Sequence, residues 1–199
     1  MSADQIRPDL SGILLAGGAS RRFPPNKLLV TYNGRPLFWR PLSALAAVCD
    51  EIVVVVRAGE AAPPLPVLDV AVRVTHDVVA GEGPLVALAR GLEGVRHDWV
   101  LLAAGDMPDL RVELLAALAK RAATSAADVI ALADGQRPRP MPALLRVSAA
   151  RAAVGQLVAS GERRLRALLA GPCLDVCDES WWVTHDPQGF WRRDVDRPQ

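Results

Sequence analysis

The sequence predicts an α/β fold built on a mostly parallel sheet, and three observations lead to it. Short apolar runs alternate with segments of helical periodicity along the chain. The first run, Ile13-Leu14-Leu15-Ala16, is apolar at every position, as a buried parallel strand would be. Gly17, Arg57, Asp77 and Asp106 each fall just past such a run, where open parallel sheets gather their ligands.

The elements follow in order. A strand over Gly12–Ala16 ends abruptly at Gly17-Gly18. Pro36 suits a helix start, and a helix is expected over Leu37–Val48, either beginning at Pro41 or kinked there. Strands at Glu51–Val56 and Val70–Thr75 are separated by Ala61–Pro66, a stiff connection too short to divide two cores. A helix over Leu85–Leu92, a strand over Trp99–Ala104 and a helix over Val112–Ala123 come next. Strands at Asp128–Leu132 and Met141–Leu145 flank a Pro/Arg-rich loop, Gln136–Pro142. Helices over Ala149–Ala159 and Arg164–Leu169 complete the pattern, and the last ten residues are expected to include a frayed tail.

The 199 residues suit one domain with a substantial core. With 51% hydrophobic but only 5% aromatic residues, that core is aliphatic. The net charge of +1 supplies no global field for nucleic acid, so anion binding must be local and a small phosphorylated ligand is favoured. No secretory pattern opens the chain and no apolar window reaches the roughly 18 residues of a membrane span, so a cytoplasmic protein with no membrane partner is expected. Cys49, Cys173 and Cys177 form no CxxC pair; a disulfide scaffold or structural zinc site is not expected, and Cys173 and Cys177 read as buried small residues.

Residues 12–27, GILLAGGASRRFPPNK, carry the most chemistry. Glycines let backbone N–H groups turn toward an anion, while Arg22 and Lys27 add full positive charges. This is a polyphosphate cradle, read as the site of a nucleoside triphosphate; the plainer alternative is a βα turn with exposed arginines. Neither GxxxxGK[ST] nor GxGxxG is present. Ser20 either donates to a phosphate or stabilises the turn, and Arg21 reads as a surface charge. Asp106, in Gly105-Asp106-Met107-Pro108, either binds Mg²⁺ through its carboxylate or serves as a turn residue. Trp181, Trp182 and Trp191 are expected to pack a core, and His76, His97 and His185 to be structural or exposed.

LAGGASRR…NK resembles the LAGGxSxRMGxDK signature of nucleotidyltransferases that activate molybdopterin, and most closely the molybdenum cofactor guanylyltransferase family. NGRPL (Asn33–Leu37), Asp77, GPLVAL (Gly83–Leu88), GDMP (Gly105–Pro108), RPMPAL (Arg139–Leu144), GERRLRALL (Gly161–Leu169) and DVDRP (Asp194–Pro198) follow in the family's order. The resemblance implies a three-layer α/β/α Rossmann-like nucleotidyltransferase fold in a single domain, 1–199. Its nucleotide-binding half would cover about 11–110 and its acceptor-binding half about 111–199. It further implies GTP and molybdopterin as substrates, Mg²⁺ as cofactor, and molybdoenzymes or other cofactor-biosynthesis proteins as partners. Leu15, Ala16, Gly17, Gly18, Ser20, Arg22 and Lys27 would surround the phosphates, with Arg22, Lys27 and Asp106 catalytic. Asp77 would read the base or ribose beside Gly83, Pro84 and Leu85, or else cap a helix or turn; Asp106 would hold the metal with Asp196 and, as a further carboxylate, Asp194, unless these two are solvated tail aspartates. Pro24 replaces a family glycine, Asn26 an aspartate, and Val55 an asparagine, with Arg57 as a nearby substitute. A CTP-dependent sister enzyme, transfer to another phosphorylated acceptor, and a non-catalytic nucleotide-binding protein are the alternatives.

Overall fold

The computed structural model describes residues 9–17, 29–78, 81–171 and 173–195. The described strands and helices begin with β1 (Leu10–Leu15), β2 (Thr31–Tyr32), β3 (Arg35–Pro36), α1 (Trp39–Ala46), β4 (Glu51–Val56), β5 (Ala71–His76) and α2 (Pro84–Gly94). They continue with β6 (Trp99–Ala104), α3 (Val112–Ala122), β7 (Val129–Asp134), β8 (Arg137–Arg146), α4 (Val147–Ala159), β9 (Leu174–Cys177) and α5 (Glu179–Trp182). Two 3-10 turns, Leu165–Ala170 and Phe190–Arg192, lie among the last of these.

Seven strands form one sheet in the order β5-β4-β1-β6-β8-β7-β9, with β2 and β3 as a separate hairpin. Every strand of the sheet runs in one direction except β8, which is antiparallel to both neighbours. Alternation along the strands supplies two cores. Leu14, Ile52, Val54, Leu101 and Ile130 face α1, α3 and the indoles of Trp182 and Trp191. Ile13, Val53, Val55, Leu102 and Leu145 face α2, α4 and the first 3-10 turn. Because both faces are covered, the central strands read as unbroken apolar blocks. The result is a three-layer α/β/α sandwich with a mostly parallel sheet.

Three local expectations need correction. The expected loop Gln136–Pro142 is largely strand, because β8 begins at Arg137. Pro138, Pro140 and Pro142 all precede Ala143, where pairing with β6 begins, so they occupy the half of the strand that has a free edge. Helix α1 starts neither at Pro41 nor with a break there. Pro41 is its third residue, inside the first turn, where the missing N–H interrupts no helical bond. Cys173 is half-exposed rather than buried, because it precedes β9 at the outer edge of the sheet. Cys177 is buried as expected, Cys49 is buried as well, and no disulfide joins the three cysteines. Of the last ten residues, Phe190–Val195 are described, and Trp191 among them is buried.

The sheet's N-terminal edge is tied by a buried carboxylate. Glu51 accepts from the Ser11 hydroxyl (2.8 Å), the Arg96 N–H (2.8 Å) and the Arg73 guanidinium (2.9 Å). The His97 ring lies 3.2 Å from the same hydroxyl. This Ser-His-Glu grouping has no access to a substrate, since Ser11 has 0% exposure. Burial pushes the Glu51 carboxyl up, but the donors from Ser11, Arg96 and Arg73 together bring it below its ordinary value. A carboxyl lowered by folding contributes stability above its unfolded pKa of about 4.3, lost as pH falls through the folded value. Glu51→Gln is therefore expected to cost about 1–3 kcal/mol at neutral pH. It should also flatten the loss of stability below about pH 4.3, as urea unfolding across a pH series would reveal.

Candidate active site

Backbone hydrogen bonds continue past the strand ends and align four loops. Ala16 N–H donates to the Val55 carbonyl (2.7 Å), Asp77 N–H to Val56 (2.9 Å) and Gly105 N–H to Leu15 (2.9 Å). Asp77, Arg57, Gly17 and Gly105-Asp106 thus follow four neighbouring strands along one edge, in the order β5, β4, β1, β6. Gly17 sits so close to the next loop that a Cβ would lie 3.1 Å from the Arg57 nitrogen. A Cβ there would press on that backbone, which glycine leaves unhindered. Leu15 and Ala16 are buried in opposite cores, so their side chains face the protein interior.

Asp77 is the unusual group of this edge. It is 8% exposed, and its Oδ1 has no hydrogen-bond partner among the described residues. Burial pushes its carboxyl above the ordinary range and the nearby Glu82 charge adds to this, while the Val78 N–H pulls the other way. A buried acceptor left unpaired costs roughly 1–3 kcal/mol, a cost that a ligand donor would remove.

The Asp106 loop is held from three directions. Met107 N–H returns to the Ala104 carbonyl at 3.3 Å. From α1, Arg40 Nε donates to the Pro108 carbonyl at 3.0 Å, and its Nη2 lies 3.8 Å from Asp109. From the C-terminal segment, Val195 N–H donates to the Asp106 carbonyl at 3.0 Å, and Arg193 lies 3.9 Å from Asp109. That segment is anchored in turn by Arg139 to Asp194 (3.9 Å) and Arg192 to Asp134 (3.2 Å). Asp194 therefore lies in the strap that touches the Asp106 loop. Trp182 and Trp191 pack edge to face beneath it, with ring centroids 5.7 Å apart.

A half-exposed carboxylate at a strand end is a hard oxygen donor that fits Mg²⁺. Among the described residues no group of three or more His, Cys, Asp or Glu forms a cage.

Gly83, Pro84 and Leu85 open α2, with Gly83 at φ 98°. Val55 is buried against α2, touching the position of Gly91, and is a core residue. Gly18, Ser20, Arg21, Arg22, Pro24, Asn26, Lys27 and Asp196 lie outside the described residues. Neither the support from Arg40 nor a hydrogen bond from the Leu85 N–H to the Arg163 carbonyl (3.2 Å) was foreseen. Arg40 carries no sequence signal beyond a basic residue on a helix, whereas the GERR run is a visible motif.

A family model described as the MobA-like NTP transferase domain matches residues 12–177. A probable molybdenum cofactor guanylyltransferase of Mycobacterium bovis (strain BCG) is 36% identical over 173 residues, covering 83% of each chain. The molybdopterin-guanine dinucleotide biosynthesis protein A of Archaeoglobus fulgidus superposes with a TM-score of 0.75 at 19% identity, covering 94% of this chain and 93% of that one. The Mycobacterium tuberculosis Rv0371C protein, solved in complex with manganese, gives a TM-score of 0.57 at 19% identity over 86% of this chain and 88% of that one. With its aligned strand-end loops and this agreement along most of its length, the chain belongs to the MobA-like NTP transferase family and is a nucleotidyltransferase of molybdenum cofactor biosynthesis.

Proposed function

We propose that the protein transfers GMP from GTP to the terminal phosphate of molybdopterin, forming the guanine dinucleotide and releasing pyrophosphate. The observation that carries this reading is the buried Asp77 Oδ1, without a hydrogen-bond partner among the described residues, at the same sheet edge as Gly17 and Asp106. A carboxylate there can accept paired N–H bonds from guanine N1 and its exocyclic amine. Four adjacent strand ends span roughly 14 Å at ~4.8 Å each, so base and phosphates lie along one edge.

The acceptor's phosphate oxygen attacks the α-phosphorus of GTP in line; the bond from that phosphorus to the β-bridging oxygen breaks, and pyrophosphate leaves. The nucleophile is already ionised, so no general base is required, and positioning with charge neutralisation carries the rate. Gly17 and Gly18 would offer backbone N–H groups to the triphosphate and Ser20 its hydroxyl, while Arg22 and Lys27 would neutralise its charge. Asp106, with Asp196, would hold Mg²⁺, which when bound offsets the charge building on pyrophosphate. Arg139 and the C-terminal segment border the acceptor side.

Pyrophosphate release dependent on both GTP and molybdopterin tests the reaction; release with CTP alone would reassign the nucleotide. Val55 favours that second reading, because a core valine leaves the base without the family's asparagine contact. Tight nucleotide binding without turnover would instead indicate a non-catalytic protein.

Asp77→Asn is expected to weaken GTP binding about 10–100-fold, the usual consequence of losing a charged hydrogen-bond partner. Its raised carboxyl gives a sign for pH: the ionised form reads guanine, so affinity should fall on acidification at a higher pH than an ordinary carboxylate would cause. Calorimetric titrations from pH 7.5 downward check this, and the asparagine variant should lose that dependence.

A further inference from the structure

The turn Gly161–Arg164 has no role in the chemistry above, yet it is packed on the start of α2. Its Glu162 folds back on its own chain. Oε1 accepts the backbone N–H groups of Arg163 (2.8 Å) and Arg164 (2.9 Å) together with Arg164 Nε (2.9 Å). Oε2 accepts Arg164 Nη2 at 2.8 Å. These donors hold the Glu162 carboxyl far below the usual carboxylate range. The turn is also tied to the end of α4, with Glu162 N–H on the Leu157 carbonyl (2.9 Å) and Arg163 Nη1 on the Val158 carbonyl (3.1 Å).

Closed in this way, the turn aims the Arg163 carbonyl at the nucleotide-side loop. That oxygen accepts the Leu85 N–H at 3.2 Å. It also lies 3.0 Å from where a Cβ on Gly83 would stand, and Gly83 already holds φ 98°. A side chain at Gly83 is thus strained by both contact and conformation. No side chain caps α2, so the Leu85 N–H, one of its first-turn donors, is satisfied from this distant turn. Glu82, the neighbour of Gly83, lies near enough for its charge to act on Asp77.

We propose that Glu162 is a positioning residue for nucleotide selection: it sets the turn whose Arg163 carbonyl fixes Gly83–Leu85 beside Asp77. This rests on the reading of Asp77 as the base contact. A neutral acceptor suffices for the mechanism, because a single oxygen, Oε1, takes both backbone N–H groups.

Calorimetry with GTP and inosine triphosphate, beside thermal melts, tests it on Glu162→Ala, Glu162→Gln and Gly83→Ala. Glu162→Ala is expected to weaken GTP binding about tenfold and to shrink the preference for GTP over inosine triphosphate, while the melting temperature stays near wild type. Gly83→Ala approaches the same contact from the other side and should reproduce the loss. Glu162→Gln, whose amide oxygen can still accept both N–H groups, should bind as the wild type does. Unchanged binding in both alanine variants would overturn the proposal. So would a Glu162→Gln loss equal to that of Glu162→Ala, which would assign the effect to the Arg164 ion pair instead. A wild-type chain that binds no nucleotide would overturn the underlying reading, and this one with it.

Discussion

Asp106→Asn is expected to lower turnover by about 10²–10³, the scale of losing one preorganised electrostatic group in a site of this kind. The loop should keep its shape. Its carbonyl, not its side chain, takes the Val195 N–H, and the Pro108 carbonyl and Asp109 retain Arg40 and Arg193. The loss should therefore appear in kcat and in the Mg²⁺ concentration needed for half-maximal rate, with GTP affinity measured without metal close to wild type. Melting temperature should change little. Unaltered Mg²⁺ dependence at full turnover would remove Asp106 from the metal site and leave it the turn residue its neighbours also allow.

Trp182→Ala is expected to be the most damaging single truncation for stability, costing about 3–5 kcal/mol. The indole is 1% exposed, packs on Trp191, lies under the Arg192 guanidinium at 5.0 Å, and donates from Nε1 to the Ala133 carbonyl at 2.9 Å. Truncation leaves a large cavity and removes the indole N–H from the Ala133 carbonyl. For a domain of this size the melting temperature should drop by roughly 6–20 °C. Because this cluster seats the segment carrying Arg193 and Val195, activity should fall even at temperatures where the variant stays folded. Trp181→Ala, at a half-exposed neighbour, is the control and should cost much less.

The chain's apolar blocks made its sheet legible. Glu51–Val56 and Trp99–Ala104 are strands with the boundaries expected, because each is an apolar run enclosed by both helical layers. Physical chemistry also explains the misses. Pro138, Pro140 and Pro142 signal a loop, and only the tertiary pairing, with one edge left free, makes them compatible with β8. β2, β3 and β9 are too short to show periodicity, and β9 draws its register from β7. In the candidate site, the grouping of Gly17, Asp77 and Asp106 on one edge was legible because strand ends converge by rule. The contact of Arg163 with Leu85 was not, since a backbone carbonyl meeting a backbone N–H from a distant segment leaves no trace in side-chain identity. Val55, which spacing aligns with a base-reading asparagine, lies in the core facing α2, a placement decided by strand parity.

The most direct test is a calorimetric titration of the folded protein with GTP, CTP, ATP and UTP in the presence of Mg²⁺. Saturable heat at one site per chain, strongest with GTP, is the expected outcome. Absence of heat with all four ribonucleotides, in material that melts cooperatively, would contradict the assignment of the β1–β6 edge as a nucleoside triphosphate site.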